Sequence, residues 1–136
     1  MPSTSPISTS RRAAAAAALL LPLAGCIAET ALPTVDRPYV GIAHGPPGTL
    51  RLHGDCLRVD IARSFLVVWP HGAAVDHRSG RPVVHDGRGG SARIGDLVTL
   101  TGGETDSGSL PLSRKSAGII RRCGGPIFAT NGFLEG

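Results

Sequence analysis

Three cysteines, Cys26, Cys56 and Cys123, and five histidines, His44, His53, His71, His77 and His85, carry most of the reactive chemistry in this 136-residue chain. A thiol can be alkylated, oxidised to a bridge, or bound to a metal as its thiolate. No Cys-x-x-Cys is present, so the spacing offers no redox pair. His71, Asp76, His77 and His85 fall within fifteen residues, the densest set of metal-ligand types in the chain. The spacings of known sites, His-x-His, His-Glu-x-x-His or a Cys/His finger, are missing. His71 and His85 flank turns, where a solvated histidine is ordinary. His71, His77 and His85 therefore stand as the metal candidates, and no cofactor is expected. Nucleophilic catalysis has no motif either: the chain holds neither Gly-x-Ser-x-Gly nor Ser-x-x-Lys. Asp86-Gly87-Arg88-Gly89-Gly90 has the composition of a phosphate-cradling loop. Such a loop needs a helix N-terminus after it. Both neighbours here read as strands, so the expectation is a hairpin turn.

The first cysteine has a context of its own. Residues 1–12, MPSTSPISTSRR, contain no acid and end on Arg11 and Arg12. Ala13 to Ala24 is then a twelve-residue apolar run, followed by Gly25 and Cys26. A bilayer span needs about 20 apolar residues, so this run is too short to cross permanently. A positive start, a short apolar run and a small-residue exit form a signal peptide. Leu23-Ala24-Gly25-Cys26 resembles the lipobox of bacterial lipoproteins. The resemblance implies cleavage between Gly25 and Cys26, a diacylglyceryl group on the Cys26 thiol, and attachment of the mature chain to a membrane. In such lipoproteins Asp after the cysteine favours the inner membrane. Ile27 stands there instead, which favours the outer membrane if the host is Gram-negative. Ser10-Arg11-Arg12 resembles the start of a twin-arginine signal, without the rest of that motif.

With Cys26 assigned to lipid by that resemblance, Cys56 and Cys123 remain. Outside the cytosol a disulfide between them would persist, and it would close a loop of roughly 70 residues, contributing about 4 kcal/mol. Two unpaired buried thiols are the alternative.

The rest of the chain must position these groups. Residues 26–47 contain Pro33, Pro38, Pro46 and Pro47 and little periodicity. They read as a lipidated cysteine and a stiff tether, with a short strand near Tyr39-Val40-Gly41-Ile42. Residues 48–136 read as a small β domain. Gly48–His53 and Cys56–Ile61 alternate apolar and polar residues around His53-Gly54-Asp55, a hairpin pattern. Ser64–Trp69 is a β-branched and aromatic run ended by Pro70-His71-Gly72. Short strands follow at Ala73–Asp76, Pro82–His85, Ser91–Ile94 and Leu97–Leu100. Residues 102–116 read as a loop, with one helical turn within it as the alternative, and Ile119-Ile120 and Ile127–Ala129 as closing strands. No helix longer than two turns is expected after residue 26. The fold class is all-β, a small OB-like barrel or sandwich. Trp69 is expected to fill its core.

Gly54-Asp55-Cys56-Leu57, Val68-Trp69-Pro70-His71-Gly72, Ile94-Gly95-Asp96-Leu97-Val98 and Cys123-Gly124 together resemble small uncharacterised secreted β domains of bacteria. That resemblance implies no activity. The formal charge of +4 falls to +2 once Arg11 and Arg12 leave with the signal. That excess is too small for a nucleic-acid binder, and Tyr39, Phe65, Trp69, Phe128 and Phe133 are too few and too core-like for base stacking. Arg121-Arg122 reads as a solvated edge, with anionic lipid or sugar as its alternative contact. The expected function is a cell-envelope lipoprotein with a binding or structural role. Its expected partners are the membrane, through the lipid, and an envelope protein or cell-wall ligand. The alternative is an extracytoplasmic metal-assisted hydrolase using His71, His77 and His85.

Overall fold

A strand that is apolar on both of its alternating faces has to be covered on both. Phe65-Leu66-Val67-Val68-Trp69 is such a strand, and the fold is built around it. The structure, a computed structural model, describes residues 30–37, 43–78 and 80–134. Among them, nine strands follow in order: β1 (Gly48–His53), β2 (Cys56–Asp60), β3 (Ser64–Val68), β4 (Ala74–Asp76), β5 (Val83–His85), β6 (Ser91–Arg93), β7 (Leu97–Val98), β8 (Leu100–Thr105) and β9 (Ile127–Phe133). One α-helix, α1 (Arg114–Cys123), lies between β8 and β9.

Six strands form one sheet in the order β7-β1-β2-β3-β9-β8, and β4-β5-β6 form a second. The β1–β2 hairpin pairs Leu50 with Val59 and Leu52 with Leu57, as its alternation requires. β3 pairs antiparallel with β2 and parallel with β9, setting Leu66 beside Ile127 and Val68 beside Ala129. Phe65, Val67 and Trp69 turn to one face, where Leu57, Val59, Phe128 and Val84 of the small sheet meet them. Leu66 and Val68 turn to the other, against Val35, Leu110 and Ile120. The six-stranded sheet is thus covered by the small sheet on one side and by α1 and the N-terminal segment on the other.

The sandwich is the alternative that forms. Only Thr99 separates β7 at one edge of the large sheet from β8 at the opposite edge. The sheet must therefore coil until its edges approach, yet no ladder closes them among the described residues, and there is no barrel. This also corrects the single strand expected over Leu97–Leu100. Gly102 absorbs an irregularity in the β8–β9 pairing. Its φ is +106°, and a Cβ there would sit 1.9 Å from the Ala129 carbonyl oxygen, so only glycine fits.

Three further expectations change. The loop expected over 102–116 is shorter, because Gly102–Thr105 belong to β8 and Arg114–Ser116 to α1. Ile119 and Ile120 lie in α1, not in a closing strand, and the helix runs ten residues. The Pro-rich stretch is not a free tether where it is described. Ala31 N–H donates to the Asp55 carbonyl, Trp69 N–H to the Pro33 carbonyl, and Val35 N–H to the Trp69 carbonyl. Ala31, Pro33 and Val35 are buried. Proline suits this place because its carbonyl is used and its missing N–H is not needed. Residues 43–45 lie along β8, with Gly45 N–H on the Leu100 carbonyl and Gly102 N–H on the Ala43 carbonyl. They shield an edge that would otherwise invite pairing with another chain. The strand expected near Tyr39–Ile42 lies outside the described residues.

Candidate functional site

Sequence chemistry converges at one end of α1. Ser113 caps the helix by accepting from the Ser116 N–H at 3.1 Å, and Gly124, at φ +71°, ends it with its N–H on the Ile120 carbonyl. At about 100° per residue, Ser116, Ile120 and Cys123 share the face turned to the sheet. Arg114, Lys115, Arg121 and Arg122 fall within an arc of about 120° on the opposite face, with Gly118 at its centre. All four cations are exposed, and the helix contains no acid.

Cys123, the last helical residue, is bonded to Cys56 at the start of β2, with Cα atoms 5.9 Å apart. Arg58 Nη2 donates to the Cys123 carbonyl at 2.6 Å, and Arg122 Nη1 pairs with Asp55 Oδ1 at 2.8 Å. Ala31 bridges to Cys56 on β2. The incoming N-terminal segment, the β1–β2 turn and the end of α1 therefore meet at one point. A groove of about 500 Å³ runs between the segment and the helix, lined by Thr30, Ala31, Asp55, Lys115, Ile119 and Arg122 among others.

Hydrogen bonding by Arg122 holds the Asp55 carboxyl below its ordinary range, with desolvation opposing it more weakly. A depressed folded pKa gives a contribution that is complete above the unfolded value and lost as pH falls through the folded one. The Asp55→Asn chain should therefore show a flatter decline of melting temperature than the wild type below about pH 4. Parallel declines would show that the pair is not linked to folding. At β4, Arg78 likewise holds Asp76 far below the carboxylate range through a bidentate contact, with His85 a minor contributor.

The histidines do not assemble. His71, His77 and His85 are exposed, His71 in the turn after Pro70 and His85 on β5. Among the described residues no three His, Cys, Asp or Glu side chains are placed to hold a metal ion. His53 lies 3.9 Å from Asp60, and His44 bridges through its backbone to Thr101.

The glycine loop after β5 is a hairpin turn, and two of its amides, those of Arg88 and Gly90, already donate to Asp86. Asp86, only 2% exposed, accepts from the Arg88 and Gly90 N–H groups at 2.7 and 2.9 Å, and from Phe133 N–H on β9 at 3.0 Å. The carboxylate fills the place an external anion would take, and it ties the small sheet to the large one. Asp86→Ala should cost about 2–3 kcal/mol, because three part-buried N–H groups lose a charged acceptor. Urea denaturation of that variant would read the loss, and an unchanged midpoint would contradict it.

Among the described residues, two other grooves bear on the site. One, of about 400 Å³, has Phe65, Phe128 and Ile61 in its walls and the Arg63–Glu104 ion pair beside them. The second is lined by Leu97, which is 71% exposed, and by Val98, Phe133 and Leu134.

Cys26 and Gly25 lie outside the described residues. Sequence reasoning named Arg121-Arg122 but missed Arg114-Lys115, which repeats the pair seven residues earlier on the same helical face. The signal was that spacing together with Ser113 and Gly124 as caps. Among the described residues no helix is long and apolar enough to cross a membrane. No family model, no curated protein and no solved structure matches this chain, so its reading rests on its own residues.

Proposed function

We propose that the chain is a lipid-anchored lipoprotein of the bacterial cell envelope, with Cys26 carrying the lipid and the β domain serving as a binding or structural module. One observation carries this reading. The Cys56–Cys123 bridge uses two of the three cysteines and leaves Cys26 alone at the end of the apolar run. A bridge of this kind persists outside the cytosol, where a lipoprotein would reside. The chemistry at Cys26 would be transfer of a diacylglyceryl group from a membrane phospholipid: the thiolate displaces the phosphate-bearing headgroup at the glyceryl carbon, so a C–S bond forms as the C–O bond breaks, and the thiol proton goes to solvent or the released phosphate. At about 0.8 kcal/mol per buried CH₂, one chain holds marginally, whereas two or three on one residue hold firmly. The chain is then anchored to the membrane rather than spanning it, and the outer membrane is favoured if the host is Gram-negative. An envelope protein or a cell-wall ligand is the class of partner, and the surface grooves are the places to seek it.

Growth with a labelled fatty acid tests the reading. The wild-type chain should take up label and the Cys26→Ala chain should not. Equal labelling of both would overturn it.

A further inference from the structure

We propose that the outward face of α1 docks on the anionic phosphate headgroups of the membrane to which Cys26 is attached, so that the domain lies with α1 against the bilayer. This rests on the lipid-anchor reading and adds an orientation to it. Charge is the first support. Arg114, Lys115, Arg121 and Arg122 are exposed on one face, and of these four only Arg122 has an ion-pair partner among the described residues, Asp55. Cations in the first turn of a helix oppose its dipole, so helix stability gives no reason for Arg114 and Lys115. A phosphate surface does. Shape is the second support. The two pairs stand about 10 Å apart along the axis, and Gly118 between them raises no side chain, so all four can reach one flat surface.

Position is the third support. Five Cα steps separate Ala31 from Cys26, a reach of at most about 18 Å. Ala31 bridges to Cys56, and Cys56 is bonded to the last residue of α1. Thr30, Lys115 and Arg122 line the same groove. A lipid on Cys26 therefore holds the bilayer within that reach of Ala31, at the side of the domain where α1 ends. Juxtamembrane cations each strengthen binding to anionic lipid roughly fivefold.

The test uses the full-length Cys26→Ser chain, which cannot be acylated, sedimented with phosphatidylcholine vesicles with and without phosphatidylglycerol. The apolar run 13–24 adds the same charge-independent binding to every variant, so the difference between the two vesicle types is read. Replacing Arg114, Lys115 and Arg121 by Gln should reduce that difference on the order of a hundredfold. Replacing Arg78, Arg81 and Arg93 by Gln removes the same charge from the small sheet and should leave it nearly unchanged. Gly118→Glu places an acid among the cations at a site where a Cβ meets only Arg121, at 3.8 Å. Glutamate is also the better helix former, so this variant should melt no lower than the parent and still bind anionic vesicles more weakly. Equal losses in both triple variants, or no preference for phosphatidylglycerol in the parent, would overturn docking. Binding abolished by inorganic phosphate at constant ionic strength would mark a site for the free anion and overturn it too. Failure of the anchor would show separately, as wild-type chain that takes up no labelled fatty acid while these vesicle results stand.

Discussion

A chain with serine at both Cys56 and Cys123 should lose about 4 kcal/mol of folding stability. The bridge spans 67 residues of sequence, and closing a loop of that length removes much of the freedom of the unfolded chain. Small domains are stable by only about 5–15 kcal/mol in total, so the loss should bring this one close to its limit. Local packing makes the effect unequal across the fold. α1 buries only Ser116 and Ile120 fully, has Gly118 in its middle, and carries cations at its dipole-positive end. The disulfide, the Arg58–Cys123 hydrogen bond and the exposed Arg122–Asp55 ion pair are what fasten its last turn to the start of β2. Amide exchange in α1 should therefore accelerate before that of β2 and β3 in the reduced or double-serine chain. A loss below about 1 kcal/mol, or uniform acceleration throughout, would show that the bridge does not perform this work.

Trp69→Ala should cost about 3–5 kcal/mol, the range for removing a large buried aromatic. Trp69 is fully buried, and its ring meets Phe133 edge to face with centroids 5.4 Å apart. Its backbone joins the N-terminal segment through Pro33 and Val35. Truncation would thus loosen the core and the attachment of residues 31–35 together. Trp69→Phe should cost far less. Phenylalanine retains a ring for Phe133 and removes a buried indole N–H that has no acceptor among the described residues. Urea denaturation followed by circular dichroism measures both variants. Equal losses would mean that the indole ring, and not the aromatic volume, is what the site requires. Burial bears out the expectation that Trp69 fills the core: Trp69 and Pro70 are buried, and only His71 and Gly72 of that stretch face solvent.

The strands were legible wherever burial has period two. β1 and β2 alternate because one face meets the small sheet, and β3 reads as a continuous apolar run because both its faces are covered. The helix was hidden because its inward stripe is only the buried Ser116 and Ile120 and the half-buried Cys123. Two adjacent β-branched residues, Ile119 and Ile120, imitated a strand, although the caps Ser113 and Gly124 were in plain view. The folding of residues 31–35 onto the domain could not be read locally. Its partners, Asp55, Cys56 and Trp69, are more than twenty residues away in sequence, and prolines that mark a linker serve equally well beside a strand end. The cationic face was hidden for a similar reason, since only a helix brings Arg114-Lys115 and Arg121-Arg122 together. The histidines stay apart because His71 lies in the turn before β4, His77 follows β4, and His85 faces solvent from β5, the central strand of the small sheet.

Intact mass of the protein extracted from envelopes tests the lipid anchor most directly. The expected species begins at Cys26, carries a diacylglyceryl group on that residue, and is two hydrogens lighter than its reduced form. A mature chain that begins elsewhere, or one whose Cys26 thiol is free to react with iodoacetamide, would contradict it.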